Sequence, residues 1–263
     1  MHHTLITGAS SGIGKAMAME CASRGMNVIL VALDTPELRQ TADEISRAYN
    51  VEVNYLGLDL TAPKAPEKVY SWSRQSDLKI DILINNAGIG NSGLFESNHL
   101  EEYINIINLN NRVMVELTYH FFNDLKANGN GHILNVSSME ATLPLPYKAV
   151  YTGSKSFIYA FSLAIREELQ GTGVGVTVLC PGPVLTNEQG YKRMQAHNNK
   201  GKVLNKLMIA YPDFVARKAI AGMLRGKRVV VPKVAPWAIV KLMKVVPTGL
   251  KMHLLERMFR VYK

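Results

Sequence analysis

Cysteine is nearly missing from this chain. Its 263 residues hold two, Cys21 and Cys180, each inside an apolar stretch. That excludes a disulfide framework and agrees with a reducing compartment, so a cytoplasmic protein with core-filling thiols is expected. Long hydrophobic runs are missing too. The best candidate, residues 237–246, carries Lys241 and Lys244 and is far shorter than the roughly 20 apolar residues that cross a bilayer. No secretory leader is expected, because the first strand candidate begins almost at Met1. We find no internal repeat, low-complexity tract, clear domain linker or recognisable nucleic-acid motif, and nucleic acid is not an expected partner.

What is present describes one large folded body. Hydrophobic residues make up 47% of the chain and the mean hydropathy is +0.00, enough for a substantial core. Strand candidates at 3–7, 27–32, 51–58, 80–85, 131–137, 174–180 and 228–231 alternate with helical candidates near 13–25, 36–49, 63–76, 99–127, 149–171 and 212–225. Such alternation predicts a mostly parallel, doubly wound α/β sheet of about seven strands. Its helices cover both faces, and ligands sit at the carboxyl ends of the strands. We divide the chain into residues 1–232, which include a polar, basic insertion at 187–211, and a basic amphipathic C-terminal tail at 233–263.

Two stretches carry chemistry. After the strand candidate Thr4-Leu5-Ile6 comes Thr7-Gly8-Ala9-Ser10-Ser11-Gly12-Ile13-Gly14, then a helix-compatible run. Gly8 permits a tight turn with positive φ. Gly12 lets backbone approach a pyrophosphate, and Gly14 lets the helix pack close to the strand. The helix N-terminus offers free N–H groups and positive dipole to phosphates. An ordinary flexible turn is the alternative. The second stretch is Tyr151-Thr-Gly-Ser-Lys155, whose four-residue spacing puts Tyr151 and Lys155 on one helix face. A phenol titrates near pH 10, and an ammonium one turn away is expected to lower that value and prepare the phenol for proton transfer with a carbinol or carbonyl oxygen. A plain surface pair is the alternative. Ser137 ends the strand candidate 131–137 and Ser138 follows it, where an α/β sheet places reactive groups; a turn residue is the alternative for either serine.

Thr7-Gly-x-x-x-Gly12-x-Gly14, Asn85-Asn86-Ala87-Gly88, Ser138, Tyr151-x-x-x-Lys155 and Pro181-Gly182-Pro183-Val184-Leu185-Thr186 occur in the order and at the spacing of the short-chain dehydrogenase/reductase family. Over roughly residues 3–232 the chain resembles that family's shorter single-domain branch. The resemblance implies a Rossmann-type fold and NAD(P)-dependent oxidoreductase activity that moves hydride between a nicotinamide cofactor and a carbonyl or alcohol. It implies catalytic roles for Ser138, Tyr151, Lys155 and Asn110, the last holding a relay water on its backbone. Asn111 satisfies the spacing equally well. It also implies cofactor contacts from Gly8, Ser10, Ser11, Gly12, Ile13, Gly14, Asp59, Leu60, Asn86, Ala87, Gly88, Tyr151, Lys155, Pro181, Gly182, Val184 and Thr186. A helix N-cap is the structural alternative for Asp59. No metal site is expected. Relatives that prefer NAD carry an acid at the end of strand two, and those that prefer NADP often carry an arginine just after it. Ala32 and Leu33 stand at those positions unless Asp34 reaches back, so NADP or NAD is expected with a slight preference for NADP.

The substrate side is read from Ile89–Phe95, Met139–Tyr147 and 187–211, including Met194. Ser138, Met139, Tyr147 and Tyr151 are the expected substrate contacts. These apolar walls suit an acyl or other lipid-like carbonyl compound; loop packing is the alternative. Charge is distributed unevenly: residues 1–186 hold 13 Lys/Arg and 18 Asp/Glu, whereas residues 187–263 hold 17 Lys/Arg and three Asp/Glu. A field of that kind attracts anions. In the tail, Ile239, Leu242, Met243 and Val246 are expected to share one helix face, and Leu250, Leu254, Leu255, Met258 and Phe259 another. Such helices could cover the body, join a second copy, meet a membrane surface peripherally, or bind an acidic carrier. A homo-oligomer, dimer or tetramer, is expected through the helices bearing Asn110 and Tyr151. A catalytically silent nucleotide sensor and a membrane-associated scaffold are the alternative functions.

Overall fold

The structure is a computed structural model, described here for residues 2–186 and 209–263. The insertion expected at 187–211, with Met194, lies almost wholly outside the described residues. Seven strands form one parallel sheet in the order β3-β2-β1-β4-β5-β6-β7. They are β1 (His2–Thr7), β2 (Asn27–Ala32), β3 (Val53–Gly57), β4 (Lys79–Asn85), β5 (His132–Val136), β6 (Gly175–Leu179) and β7 (Val229–Val230). All seven coincide with the expected strands. The order reverses between β1 and β4, which opens a crevice at their carboxyl ends.

Alternate residues of each strand feed opposite faces of the sheet. Ile6, Leu30, Ile84 and Leu134 pack into one cluster with α1 (Gly12–Ser23), α2 (Pro36–Ala48) and α7 (Pro212–Leu224). Leu5, Ile29, Leu83 and Ile133 pack into the other, with α3 (Ala65–Gln75), α5 (Val113–Ala127) and α6 (Ala149–Glu168). Phe121 of α5 is wholly buried there; truncating such a ring to Ala typically costs about 3–5 kcal/mol.

The single helix expected at 99–127 is interrupted. α4 (Leu100–Ile107) passes into a π-helical turn, Asn108–Arg112, before α5 resumes. The Val113 N–H bonds the Asn108 carbonyl, five residues back. This wide turn carries Asn110 and Asn111 into the interior, at 1% and 9% exposure. π-turns of this kind recur at functional sites.

The C-terminal segment docks on the body. α8 (Val234–Val245) and α9 (Thr248–Phe259) place Val240 and Leu255 in a buried cluster with Leu143 and Leu145, and Met139, Met243, Met252 and Phe259 pack around it. The expected helix faces hold only in part: Met243, Leu255 and Phe259 face inward, and the side chain of Ile239 lies outside the described residues. Leu242, Leu250, Leu254 and Met258 are exposed, and the inward rows are Val240 with Met243 and Met252 with Leu255 and Phe259. The apolar arc of each helix is wider than the surface that covers it, so sequence alone misassigns which edge is buried. Among the described residues no helix is long and apolar enough to cross a membrane.

Candidate active site

The glycine turn joins β1 to α1. Gly8 and Gly12 have φ of +65° and +56°, which side chains rarely adopt. Gly14 is fixed by space: a Cβ there would lie 2.1 Å from the Gly8 carbonyl oxygen. Asn86 clamps this turn from the end of β4. Its Nδ2 donates to the carbonyls of Thr7 at 2.8 Å and Gly8 at 3.2 Å. The Thr7 hydroxyl accepts from the N–H groups of Asn86 at 2.9 Å and Ala87 at 3.0 Å and donates to Ile84 O at 3.3 Å. Asn85 faces away: its amide is buried and donates to Asn135 Oδ1 at 2.9 Å and the Thr118 hydroxyl at 3.3 Å. These bonds hold the backbone of the turn beside a helix N-terminus, a cradle that fits a dinucleotide diphosphate.

The Pro181–Thr186 segment leaves β6 and closes over the same cradle. Pro181 O accepts from Met139 N at 2.9 Å, and Leu185 N donates to Ala210 O at 3.1 Å. Val184 bridges Ala210. Thr186 reaches the glycine turn, since a Cβ on Gly12 would lie 3.3 Å from Thr186 Cγ2.

At the end of β5, Ser138 caps the short 3-10 turn Met139–Thr142. Its hydroxyl accepts from Glu140 N at 3.1 Å and lies beside the Tyr151 phenol, where it favours the phenolate. Ser137 turns the other way and donates to Lys155 O at 2.7 Å. α6 presents Tyr151 and Lys155 on one face. The Lys155 ammonium is buried, donates to Val136 O at 3.0 Å and sits 5.9 Å from the Tyr151 ring centroid. The segment after β4 threads between these groups. A Cβ on Gly88 would meet Asn110 Oδ1 at 3.0 Å and Lys155 Nζ at 3.3 Å, and one on Gly90 would lie 2.5 Å from Tyr151 Cδ2. Gly90, inside the expected 89–95 stretch, thus meets the Tyr151 ring for a steric reason, close backbone approach.

Asn110 is locked by its side chain. Oδ1 accepts from Ile89 N, and Nδ2 donates to Ile89 O and the Ser154 hydroxyl, each at 2.9 Å. Asn111 instead donates to Ser154 O at 2.9 Å. Of the two candidates, Asn110 is the one that meets Gly88 and the Lys155 neighbourhood. Ser154, between Tyr151 and Lys155, ties both asparagines to α6, a role hidden in the sequence because the π turn creates it.

The electrostatics reverse one expectation. Burial pushes the Tyr151 phenol up to about 12, with the Glu140 carboxylate adding to this and the Ser138 hydroxyl opposing it. Burial also brings Lys155 down to about 8, opposed by Cys180. Lys155 does not lower the phenol here, because desolvation of a phenolate outweighs an ammonium directed at the Val136 carbonyl. Both thiols, Cys21 and Cys180, are free, buried and raised to about 12 by that burial.

Other expected residues make contacts within the protein. Asp59 is exposed and forms a turn, accepting from Thr61 N at 2.8 Å and Thr61 Oγ1 at 2.7 Å; the N-cap of α3 is Lys64. Leu60 is buried in the core, Met139 packs against Leu143 and Leu145, and the Tyr147 hydroxyl donates to Glu256 Oε1 at 2.7 Å. Near the end of β2, Ala32 is buried and Leu33 is exposed. Asp34 packs against Gly57 and accepts from Arg39 Nη2 at 3.1 Å. Arg39 was not among the expected residues, since it comes from the first turns of α2. Lys15 turns toward α2, 2.5 Å from Glu44.

Comparison with known proteins adds the lineage. Residues 2–197 match the family described as short chain dehydrogenase. The chain belongs to the short-chain dehydrogenase family. It is 32% identical over 259 residues to the probable oxidoreductase EphD of Mycobacterium tuberculosis, covering 94% of this chain and 43% of that protein. It is 35% identical over 185 residues to human 17-beta-hydroxysteroid dehydrogenase type 3, covering 69% and 59%. This short-chain dehydrogenase thus spans less than two thirds of either relative. Among solved structures, one from a study of 7beta-hydroxysteroid dehydrogenase stereoselectivity superposes with a TM-score of 0.85 at 25% identity, covering 97% of this chain and 96% of that one. A short-chain dehydrogenase from Sphingobium yanoikuyae in complex with NADPH gives 0.78 at 28% identity, covering 94% and 97%.

Proposed function

We propose that this chain is a nicotinamide-dependent oxidoreductase acting on an apolar, acyl- or lipid-like carbonyl or alcohol. One observation carries the reading: Ser138, Tyr151, Lys155 and Asn110 converge around the 88–90 segment, next to the clamped glycine cradle. When bound, the nicotinamide supplies or accepts hydride. The rest falls to the chain. The Gly8–Gly14 turn, Asn86–Gly88 and Pro181–Thr186 hold the nucleotide, and Ile13, Ser10, Ser11 and the backbone at Asp59 and Leu60 complete its surroundings. The Ser138 and Tyr151 hydroxyls hold the carbonyl oxygen. Tyr151 delivers a proton to that oxygen as negative charge develops on it. A phenol with its pKa near 12 holds this proton at neutral pH until negative charge develops on the substrate oxygen. Lys155 returns the proton through a water on the Asn110 backbone.

NADP is the proposed cofactor. Asp34, the carboxylate that follows β2 most closely in sequence, is already paired with Arg39. An exposed pair contributes about 0–1 kcal/mol, so the guanidinium is free to turn to a 2′-phosphate. Apolar substrates suit a cavity of about 200 Å³ lined by Leu94, Phe95, Tyr103 and Tyr147, whereas Leu143 and Leu145 are taken up by packing against α8 and α9. The hydroxysteroid and very-long-chain 3-oxoacyl-CoA names of relatives agree with that class. A cytoplasmic homo-oligomer is proposed, supported by the outward rings of Tyr119 on α5 and Phe157 on α6, 79% and 46% exposed. The outward apolar side chains of α8 and α9, in a segment (233–263) with seven Lys/Arg and one acid, support peripheral contact with an anionic membrane.

The deciding test is a panel of ketones with NADPH and NADH, followed at the nicotinamide absorbance, for the wild type and Tyr151→Phe. Turnover by the wild type, lost at least about 100-fold in the variant with nucleotide affinity retained, is expected. Equal rates in both proteins would remove the catalytic role.

A further inference from the structure

The C-terminal helix α9 reaches into the neighbourhood of the catalytic tyrosine through one side chain. Glu256 is held from one side by Arg260, whose Nε and Nη2 donate to Oε1 at 3.0 Å and Oε2 at 2.7 Å. From the other side it accepts the Tyr147 hydroxyl at 2.7 Å. Tyr147 is a large residue with φ of +63°, a conformation that costs on the order of 1–3 kcal/mol and persists only where the surroundings impose it. Two bonds impose it here: the one to Glu256, and Gly93 N donating to Tyr147 O at 2.9 Å.

Tyr147 stands directly before the N-cap of α6, the helix that carries Tyr151 and Lys155. The next residue repeats the link. Lys148 Nζ lies 3.1 Å from Glu140 Oε1 and 4.9 Å from the Tyr262 ring centroid. Glu140 in turn donates its N–H to the Ser138 hydroxyl. Tail, apolar wall and catalytic hydroxyls are therefore joined through residues 138–148.

We infer that Glu256 is a positioning residue: by holding Tyr147 in its left-handed conformation, it fixes the Tyr147 edge of the cavity shared with Phe95 and Tyr103, against which an apolar substrate seats. The inference rests on the oxidoreductase reading for its substrate but not for its geometry. Arg260 pre-aligns the carboxylate, so the acceptor is ordered before any substrate arrives. The substrate wall is thereby a joint product of the dehydrogenase body and the C-terminal helices.

The test compares full-length wild type, Glu256→Ala and Glu256→Gln. With a bulky apolar ketone that the wild type reduces, Glu256→Ala is expected to raise KM about five- to tenfold, the scale of losing one ordinary hydrogen bond. Its kcat is expected within about twofold of wild type, with NADPH affinity unchanged. Glu256→Gln keeps an acceptor and is expected to recover most of the KM. Hydrogen exchange of 139–149 is expected to quicken in Glu256→Ala and to stay unchanged in the glycine turn. Unaltered KM in the Ala variant, or kcat and KM falling together with a general loss of protection, would overturn the inference. If the wild type reduces no ketone, the functional reading fails, and the exchange measurement still decides the positioning role.

Discussion

The Lys155 ammonium donates to the Val136 carbonyl at 3.0 Å, buried at the carboxyl end of β5, and among the described residues no carboxylate contributes to its shifted pKa. Its folded-state value, about 8, lies below the ordinary 10.5, so at neutral pH the buried charge works against folding. That cost is fully present below pH 8 and disappears as pH rises through 10.5. Lys155→Met is therefore expected to raise the thermal midpoint at pH 7, with an advantage that shrinks between pH 8 and 10.5. The same variant should lose turnover. In the wild type, ketone reduction should hold steady up to about pH 8 and fall above it as the ammonium is lost. A midpoint difference independent of pH would show that Lys155 is not a buried cation.

Asn110 should matter for stability as well as for catalysis. Its removal leaves the Ile89 N–H, the Ile89 carbonyl and the Ser154 hydroxyl without this partner, at about 1–3 kcal/mol for a buried group left unsatisfied. Asn110→Ala is expected to lower the midpoint by several degrees. Asn111→Ala, which loses one bond to Ser154 O, should lower it less. The reverse order in a melting experiment would refute the assignment of Asn110 over Asn111.

Two glycines inside the recognisable motifs should behave oppositely. Gly14→Ala pushes a methyl to 2.1 Å from the Gly8 carbonyl oxygen, and backbone must move. NADPH affinity should fall at least about tenfold. Gly153, between Tyr151 and Lys155, has nothing within 4 Å of where an alanine methyl would stand, and replacing a mid-helix glycine with Ala contributes roughly 0.5–1 kcal/mol. Gly153→Ala is expected to melt slightly higher with activity retained. Nucleotide titration by fluorescence reads the first variant and calorimetric melting reads the second; unchanged affinity in Gly14→Ala would count against the cradle.

Membrane contact is tested by flotation of the full chain with vesicles of neutral phosphatidylcholine or of phosphatidylcholine and phosphatidylglycerol. Binding to the anionic vesicles alone, reduced by salt and by Lys241→Glu with Lys244→Glu, is expected. Equal behaviour with both vesicle types, or assembly into a discrete oligomer blocked by Leu250→Glu, would exclude lipid as the occupant of that face.

Much of the architecture was legible before any coordinates. Seven apolar strand segments separated by helical periodicity allowed few arrangements other than a parallel sheet covered on both faces, and the glycine turn and Tyr151-x-x-x-Lys155 declared themselves through local spacing. Local rules work there because a strand's face, a turn's φ and a four-residue helical offset depend on neighbours in sequence. What only the tertiary structure decided depends on partners far away in the chain. Burial raises the pKa of Tyr151 where a nearby ammonium alone would lower it. A π turn selects Asn110 through Ile89 and Ser154. The body chooses which rows of α8 and α9 face inward. Glu256 meets Tyr147 across 109 positions. Desolvation and long-range hydrogen bonds have no signature in residue order, since both arise only when packing brings distant groups together and removes water from between them.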